Sequence, residues 1–338
     1  MKLRVPALVA LLAAVCGFTS LADAANDKPV KIAAAVYGLK AEFMQLWTAA
    51  LNRHPAVKSG LAKVTVFDGK YDANTQNDQF DTMITQKYDA IIFVPIDIQA
   101  GAKAVERASE AKIPVIGSNT RVNSDLLTAY IGSNDVLSGR MEAEAVLDKM
   151  GNKGNLIIIE GPIGQSAQIE RRKGNLEAIN AHPDIKTLEM KTANWSRAEA
   201  LTLMEDWLTS HKGQIKGVIG QNDEMALGAI QAIKQAGLNV SDFDIAGIDG
   251  VTDALLAVKR GEMTSILQDA TAQAQGALDL ALHAVLGDSY QPQSPIWQQY
   301  AKGMAWNDGK DKVYNVPWTP VTSQNVDALL KERQEAQK

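Results

Sequence analysis

The chain has a single cysteine, Cys16, among 338 residues, and it lies within the first 24. One thiol cannot form an internal disulfide, so stability has to come from a buried core. The four histidines, His54, His182, His211 and His283, stand far apart, and no second cysteine completes a zinc set. Where a dinucleotide enzyme would carry G-x-G-x-x-G after its first strand, this chain reads Tyr37-Gly38-Leu39-Lys40-Ala41-Glu42. No G-x-S-x-G nucleophile elbow is present. Lysine and arginine (34) are outnumbered by aspartate and glutamate (39) and form no basic cluster, which argues against a nucleic-acid partner. No apolar run reaches the ~20 residues that span a bilayer. These absences weigh against an enzyme, and they call for no cofactor and no metal.

What is present begins with an export signal. Met1-Lys2-Leu3-Arg4 is basic, Val5 to Val15 is nearly all apolar, and Ala22-Asp23-Ala24 supplies an A-x-A cleavage site. Val15 is branched where a lipoprotein signal needs a small residue before its cysteine, so cleavage is expected after Ala24. Losing Lys2, Arg4 and Asp23 shifts the net charge from −5 to −6 and removes the cysteine. The remaining ~310 residues, in a chain that is 46% apolar, are enough for two domains.

Short β-branched runs then alternate with amphipathic stretches of helical length. Strands are expected over 31–36, 64–67, 90–94, 115–117 and 128–131, with helices over 42–52, 73–87 and 100–111. After Asn134 the rhythm restarts, with helices over 136–150, 166–181, 197–210, 224–236, 252–259 and 272–286. The strands between them fall at 155–160, 187–190, 217–219, 244–248 and 264–267. Repeated β-α order with continuous apolar strands predicts an α/β fold of two doubly wound parallel-sheet domains. Residues 287–320, rich in Pro, Trp, Tyr and Gln, read as strands and turns packing on the second domain. A capped terminal helix is expected after Thr322-Ser323.

Ligands of such sheets bind beyond the carboxyl ends of the strands. Asn222 and Asp223 follow one strand end and Asp249 another; each reads equally as a helix cap or as a ligand for hydroxyl groups. Arg171 and Arg172 form a basic pair on a helix, ordinarily a solvated face, yet one guanidinium fork can bridge two vicinal hydroxyls. Trp195 at a helix start offers a flat face to the C–H side of a sugar. Gln268 follows a strand and can both donate and accept.

Taken in order, Gln221-Asn222-Asp223-Glu224-Met225-Ala226-Leu227-Gly228 and Gly247-Ile248-Asp249-Gly250 resemble type I periplasmic sugar-binding proteins of ABC importers. The resemblance is nearest to the ribose-binding group. It extends through Val94-Pro95, Lys112-Ile113-Pro114-Val115-Ile116, Ile131-Gly132-Ser133-Asn134-Asp135 and the arginine-bearing stretch from Gly164 to Gly174. It implies that Arg171, Asn222, Asp249 and Gln268 contact the sugar, with Asp249 and Arg171 as its strongest polar anchors. Trp195 replaces a stacking phenylalanine, Phe43 matches a stacking aromatic, and Tyr37 stands where a small polar residue is common. The group often carries Asp-Arg after the fourth strand, whereas here Asn119 and Thr120 occupy those places. Arg121, one position on, is the candidate replacement for the lost guanidinium. Ribose itself is therefore in question, and a related sugar, a polyol or a cyclitol stays open.

The resemblance further implies a hinge of three crossovers, near 133–134, 268–269 and 294–296. A first domain would comprise 25–133 plus 269–295, and a second 134–268 plus 296–338. The implied protein is a periplasmic monomer that hands a small polyhydroxylated ligand to an ABC permease in the inner membrane. The alternative role is a ligand-sensing subunit for a chemoreceptor or sensor kinase.

Overall fold

The computed structural model describes residues 28–335, and the expected signal segment lies outside them. The chain opens with β1 (Val30–Val36), α1 (Glu42–Asn52), a short α2 (Pro55–Lys58), β2 (Ala62–Asp68), α3 (Ala73–Thr85), β3 (Ala90–Val94), α4 (Ile98–Glu110), β4 (Val115–Ser118) and β5 (Ala129–Gly132). It continues with α5 (Asp135–Lys149), β6 (Gly154–Glu160), α6 (Ser166–Ile179), β7 (Ile185–Thr192), α7 (Arg197–Ser210), β8 (Ile215–Gly220) and α8 (Asp223–Gln235). Then come β9 (Asp244–Asp249), α9 (Thr252–Lys259), β10 (Thr264–Leu267), α10 (Ala270–Leu286), α11 (Ile296–Gln299), β11 (Val313–Asn315), β12 (Thr319–Pro320) and α12 (Val326–Glu335).

Two six-stranded sheets result, ordered β11-β5-β4-β3-β1-β2 and β12-β10-β9-β8-β6-β7. All pairings are parallel except β12 with β10, so the two doubly wound α/β domains expected from the alternation are present. Central strands are apolar throughout because helices cover both faces: Ala90–Val94 is buried at every position, as are Leu156 to Ile159 of β6. Helix starts follow the capping rule. Asp97, Asn134, Ser196, Asn222 and Asp269 each accept from a backbone N–H in the first turn that follows them.

The tightest helix contact joins α5 to α6. A Cβ on Gly139 would fall 2.2 Å from the Arg171 carbonyl oxygen, and one on Gly174 2.1 Å from that of Val136. Bare backbone at both positions lets the helices approach this closely and fixes where Arg171 stands.

The chain passes between sheets after β5, returns after β10, and passes again between Asn315 and Thr319. That last passage corrects the expectation of a crossover near 294–296, and with it the placing of 287–320 on the second domain. The cause is the buried carboxylate of Asp279 on α10. It accepts from Tyr290 Oη (2.6 Å), the Gln293 and Ser294 amides and Trp297 Nε1 (2.8 Å), while His54 Nε2 lies 3.2 Å away. These bonds hold the segment on the first domain, where Trp297 meets Trp306 and Tyr314 edge-on and β11 pairs with β5. Only β12 and the residues after it join the second domain. Among the described residues no helix is long and apolar enough to cross a membrane.

Candidate functional site

The ends of both sheets face each other across a small cavity. Tyr37, directly after β1, Phe43 in the first turn of α1, and Asn119 after β4 line it from the first domain. Arg171 of α6, Trp195 before α7, Asn222 at the cap of α8, Asp249 at the end of β9 and Gln268 after β10 line it from the other side. Thr120, Gln165 and Ala167 complete the wall.

Several polar wall residues have some hydrogen-bonding capacity fixed and some left. Asn222 Oδ1 accepts from the Met225 amide, so the side chain does cap its helix while its amide nitrogen stays available. Asn119 sits at φ +60°, donates from Nδ2 to Gln273 Oε1 (3.1 Å), and is braced by Tyr130 Oη on its carbonyl (2.7 Å). Gln268 Nε2 is buried without a hydrogen-bond partner. Trp195, also left-handed at φ +58°, donates from Nε1 to Gln165 Oε1 (2.6 Å). The left-handed turn at Asn194 and Trp195 swings the indole over the cavity, with its ring 5.5 Å from the Arg171 guanidinium.

Charge enters from the second domain alone. Arg171, 3% exposed, donates from Nε to Asp135 Oδ1 (2.8 Å) and from Nη1 to the Gln221 carbonyl (2.5 Å). Burial lowers its pKa, but Asp135 and Asp249 outweigh that and hold it cationic. Asp249 stands at φ +129° on the cavity wall, and its carboxylate makes no hydrogen bond to another group among the described residues. Burial pushes its carboxyl well above the usual range, Arg171 opposes the rise, and Asp223, Glu224 and Asp135 add to it. Arg171 is thus paired with Asp135 at the start of α5, and makes no hydrogen bond to Asp249.

Behind this wall, Asp223 does not reach the cavity. Its carboxylate accepts from Ser265 Oγ (2.8 and 2.9 Å) and the Val251 amide (3.0 Å), and so props the turn that carries Asp249.

The domains meet around the cavity. Gln165 Nε2 donates to the Pro95 carbonyl, the Ile98 amide to the Gly164 carbonyl, and the Arg121 amide to Ser166 Oγ. The arrangement is therefore a closed one.

Arg121 departs from expectation. Its side chain turns away from the cavity, lying 4.2 Å over the Tyr130 ring with Nε 3.7 Å from Glu170. The guanidinium is held on Tyr130 and beside Glu170 and so does not replace one at Thr120, whose own hydroxyl donates to the Pro95 carbonyl (2.7 Å). Arg172 likewise stays outside, paired with Glu160. Gln165 was missed by sequence reasoning, although it too follows a strand, four residues beyond the Gly161-Pro162 turn after β6. Among the described residues no group of His, Cys, Asp and Glu side chains is arranged to hold a metal.

This geometry accords with three comparisons. The profile of the periplasmic binding protein domain matches residues 32–289. A xylitol-binding protein of Mycolicibacterium smegmatis is 36% identical over 260 residues, covering 77% of this chain and 68% of that one. The ribose import binding protein of Salmonella typhimurium is 32% identical over 208 residues, covering 61% and 69%. Among solved structures, an ABC transporter solute-binding protein from Bacillus halodurans with bound myo-inositol superposes with a TM-score of 0.78 at 29% identity, covering 91% of this chain and 99% of that one. With a domain profile spanning most of its length, two parallel-sheet domains and relatives of this kind, the chain belongs to the periplasmic binding protein family.

Proposed function

We propose that this protein captures a small polyhydroxylated molecule, a monosaccharide, polyol or cyclitol, between its domains and delivers it to an ABC permease of the inner membrane. The observation that carries the reading is the wall of the cavity between the domains. Aromatic faces from Phe43 and Trp195 stand with a carboxylate, a guanidinium and four amides on the remaining sides. Such a set offers donors and acceptors to a ring of hydroxyls and flat apolar surfaces to its C–H faces. The relatives that bind xylitol or myo-inositol support the same class of ligand.

The first domain contributes only neutral groups, because Asn119 and Thr120 stand where an acid and a base are common and Arg121 points away. This departure puts ribose in question and leaves a related sugar, a polyol or a cyclitol as the ligand class. The proposed working form is a periplasmic monomer, released by cleavage after Ala24. No catalytic step is assigned, and ligand should be recovered unchanged after long incubation.

The direct test is a thermal-shift screen with xylitol, ribitol, ribose, allose, arabinose, galactose and myo-inositol. At about one hundred times the dissociation constant a cognate ligand stabilises by ~2.7 kcal/mol. A screen of these classes with no shift at any millimolar concentration overturns the reading.

A further inference from the structure

Two helices at the mouth of the cleft begin without a side-chain cap of their own. α1 has Ala41 at its cap position and α9 has Val251, and neither side chain can accept a hydrogen bond. Each lies on a different domain, and each meets a carboxylate from the other. Glu42, at the first position of α1, reaches across to α9. Its Oε1 accepts from the Thr252 amide (3.1 Å) and hydroxyl (2.5 Å), and its Oε2 lies 3.2 Å from the same amide. In return Glu224, at the second position of α8, places Oε1 3.5 Å from the Glu42 amide, a longer and weaker contact. Arg197 steadies Glu224 from Nε (2.7 Å) and ties it to Asp253 of α9.

We propose that Glu42 is a cross-domain latch, supplying the missing cap of α9 only when the domains are closed and so holding part of the ligand-free population shut. A carboxylate at a helix N-terminus is favoured by the unsatisfied amides and by the helix dipole, and it is lost when the domains part. The latch acts on the turn that matters. Asp249, Gly250, Val251 and Thr252 are consecutive, so the residue gripped by Glu42 is three places from the carboxylate facing the cavity. Arg333 of α12 braces the same turn by donating to the Gly250 carbonyl (2.9 Å). Glu42 lines no part of the cavity, and its action does not depend on which polyol is bound. It does rest on the reading that the domains part to admit one.

The test uses no ligand. In the full chain with Cys16→Ser, fluorophores are attached at Glu106→Cys and Glu205→Cys, exposed positions on the two domains, and single-molecule energy transfer counts closed and open molecules. Glu42→Ala should lower the closed-to-open ratio about fivefold, the factor that one lost cap of ordinary strength produces. Thr252→Val, which keeps the amide and loses the hydroxyl, should fall between the two. An unchanged ratio in Glu42→Ala, with both populations visible, overturns the latch while leaving the binding reading intact. A single population that no variant alters and no compound of the screen shifts overturns the opening reading itself. A lowered melting temperature with an unchanged ratio would make Glu42 a structural residue only, and would also overturn the proposal.

Discussion

Arg171 Nε lies 2.8 Å from Asp135 Oδ1, and both side chains are almost wholly buried. Asp135 opens α5 directly after the first passage between sheets, so the cation on the cavity wall is held by a residue of the hinge. Removing one member of such a pair strands the other without compensation. Asp135→Ala should therefore destabilise by ~3–5 kcal/mol. It should also weaken binding of whichever screened compound shifts the melt most, because the guanidinium loses its fixed direction. Urea unfolding and titration calorimetry on the same preparation check both.

Asp249→Ala separates the site reading from a capping one. The Asp249 carboxylate accepts no hydrogen bond among the described residues, and the caps in this turn come from elsewhere, so stability should change little. Affinity should drop by roughly 2–4 kcal/mol, the order seen when one buried charged contact is truncated. Arg121→Ala, by contrast, should leave affinity unchanged. A loss there equal to that in Asp249→Ala would contradict the placement of both.

Gly174→Ala tests whether helix spacing positions the cation. The new methyl group would press on backbone of α5, 2.1 Å from the Val136 oxygen and 2.6 Å from the Arg140 nitrogen. Backbone cannot swing aside as a side chain can, so α6 must shift. A cost of ~1–3 kcal/mol is expected, as for other overpacked sites. Affinity should fall in parallel because Arg171 moves with its helix.

Burial raises the Asp223 pKa from 3.8 to about 7, against the pull of its bonds from Ser265 and the Val251 amide. The folded chain thus holds this proton more tightly than the unfolded chain. Its contribution is complete below pH 3.8 and is lost as pH rises toward about 7. Melting temperatures of the wild type relative to Asp223→Asn should decline across that window. A flat difference would show that Asp223 titrates as an ordinary carboxylate.

The sequence was most legible where one physical rule covered both structure and site. Strands β3 and β6 announce themselves as unbroken apolar runs, and the residues that follow parallel strands fall on one cleft. Asn222, Asp249 and Gln268 could therefore be singled out before any coordinates. Tyr37, Phe43 and Asn119 carried no local signal and were named only through the family resemblance. Arg121 was misplaced because spacing along a strand end tells which residues are near, not which way each one points. The strands β11 and β12, of three and two residues, show no periodicity, so the third passage between sheets was invisible. What fixes it is Asp279, a buried acid in α10, whose partners lie 11 to 18 positions further on together with the distant His54.

Asp279→Ala should accordingly destabilise by ~3 kcal/mol or more, leaving a buried histidine and several amides unpaired. Polyol affinity should hold, since no cavity residue is touched. Urea melts together with the thermal-shift screen distinguish this from a defect at the site.

The short passage from β11 to β12 also sets when the molecule can finish folding. The Tyr130 amide bonds to the Lys312 carbonyl, and Trp318 Nε1 bonds to the Asn134 carbonyl 184 positions away. One edge strand of each sheet is therefore supplied by residues within eight positions of one another near the C-terminus. Neither sheet can be completed on a growing chain until those residues have emerged. Contacts this distant in sequence make for slow closure. Both sheets thus stay incomplete until residues 313–320 are available, after every other strand of either domain has been made.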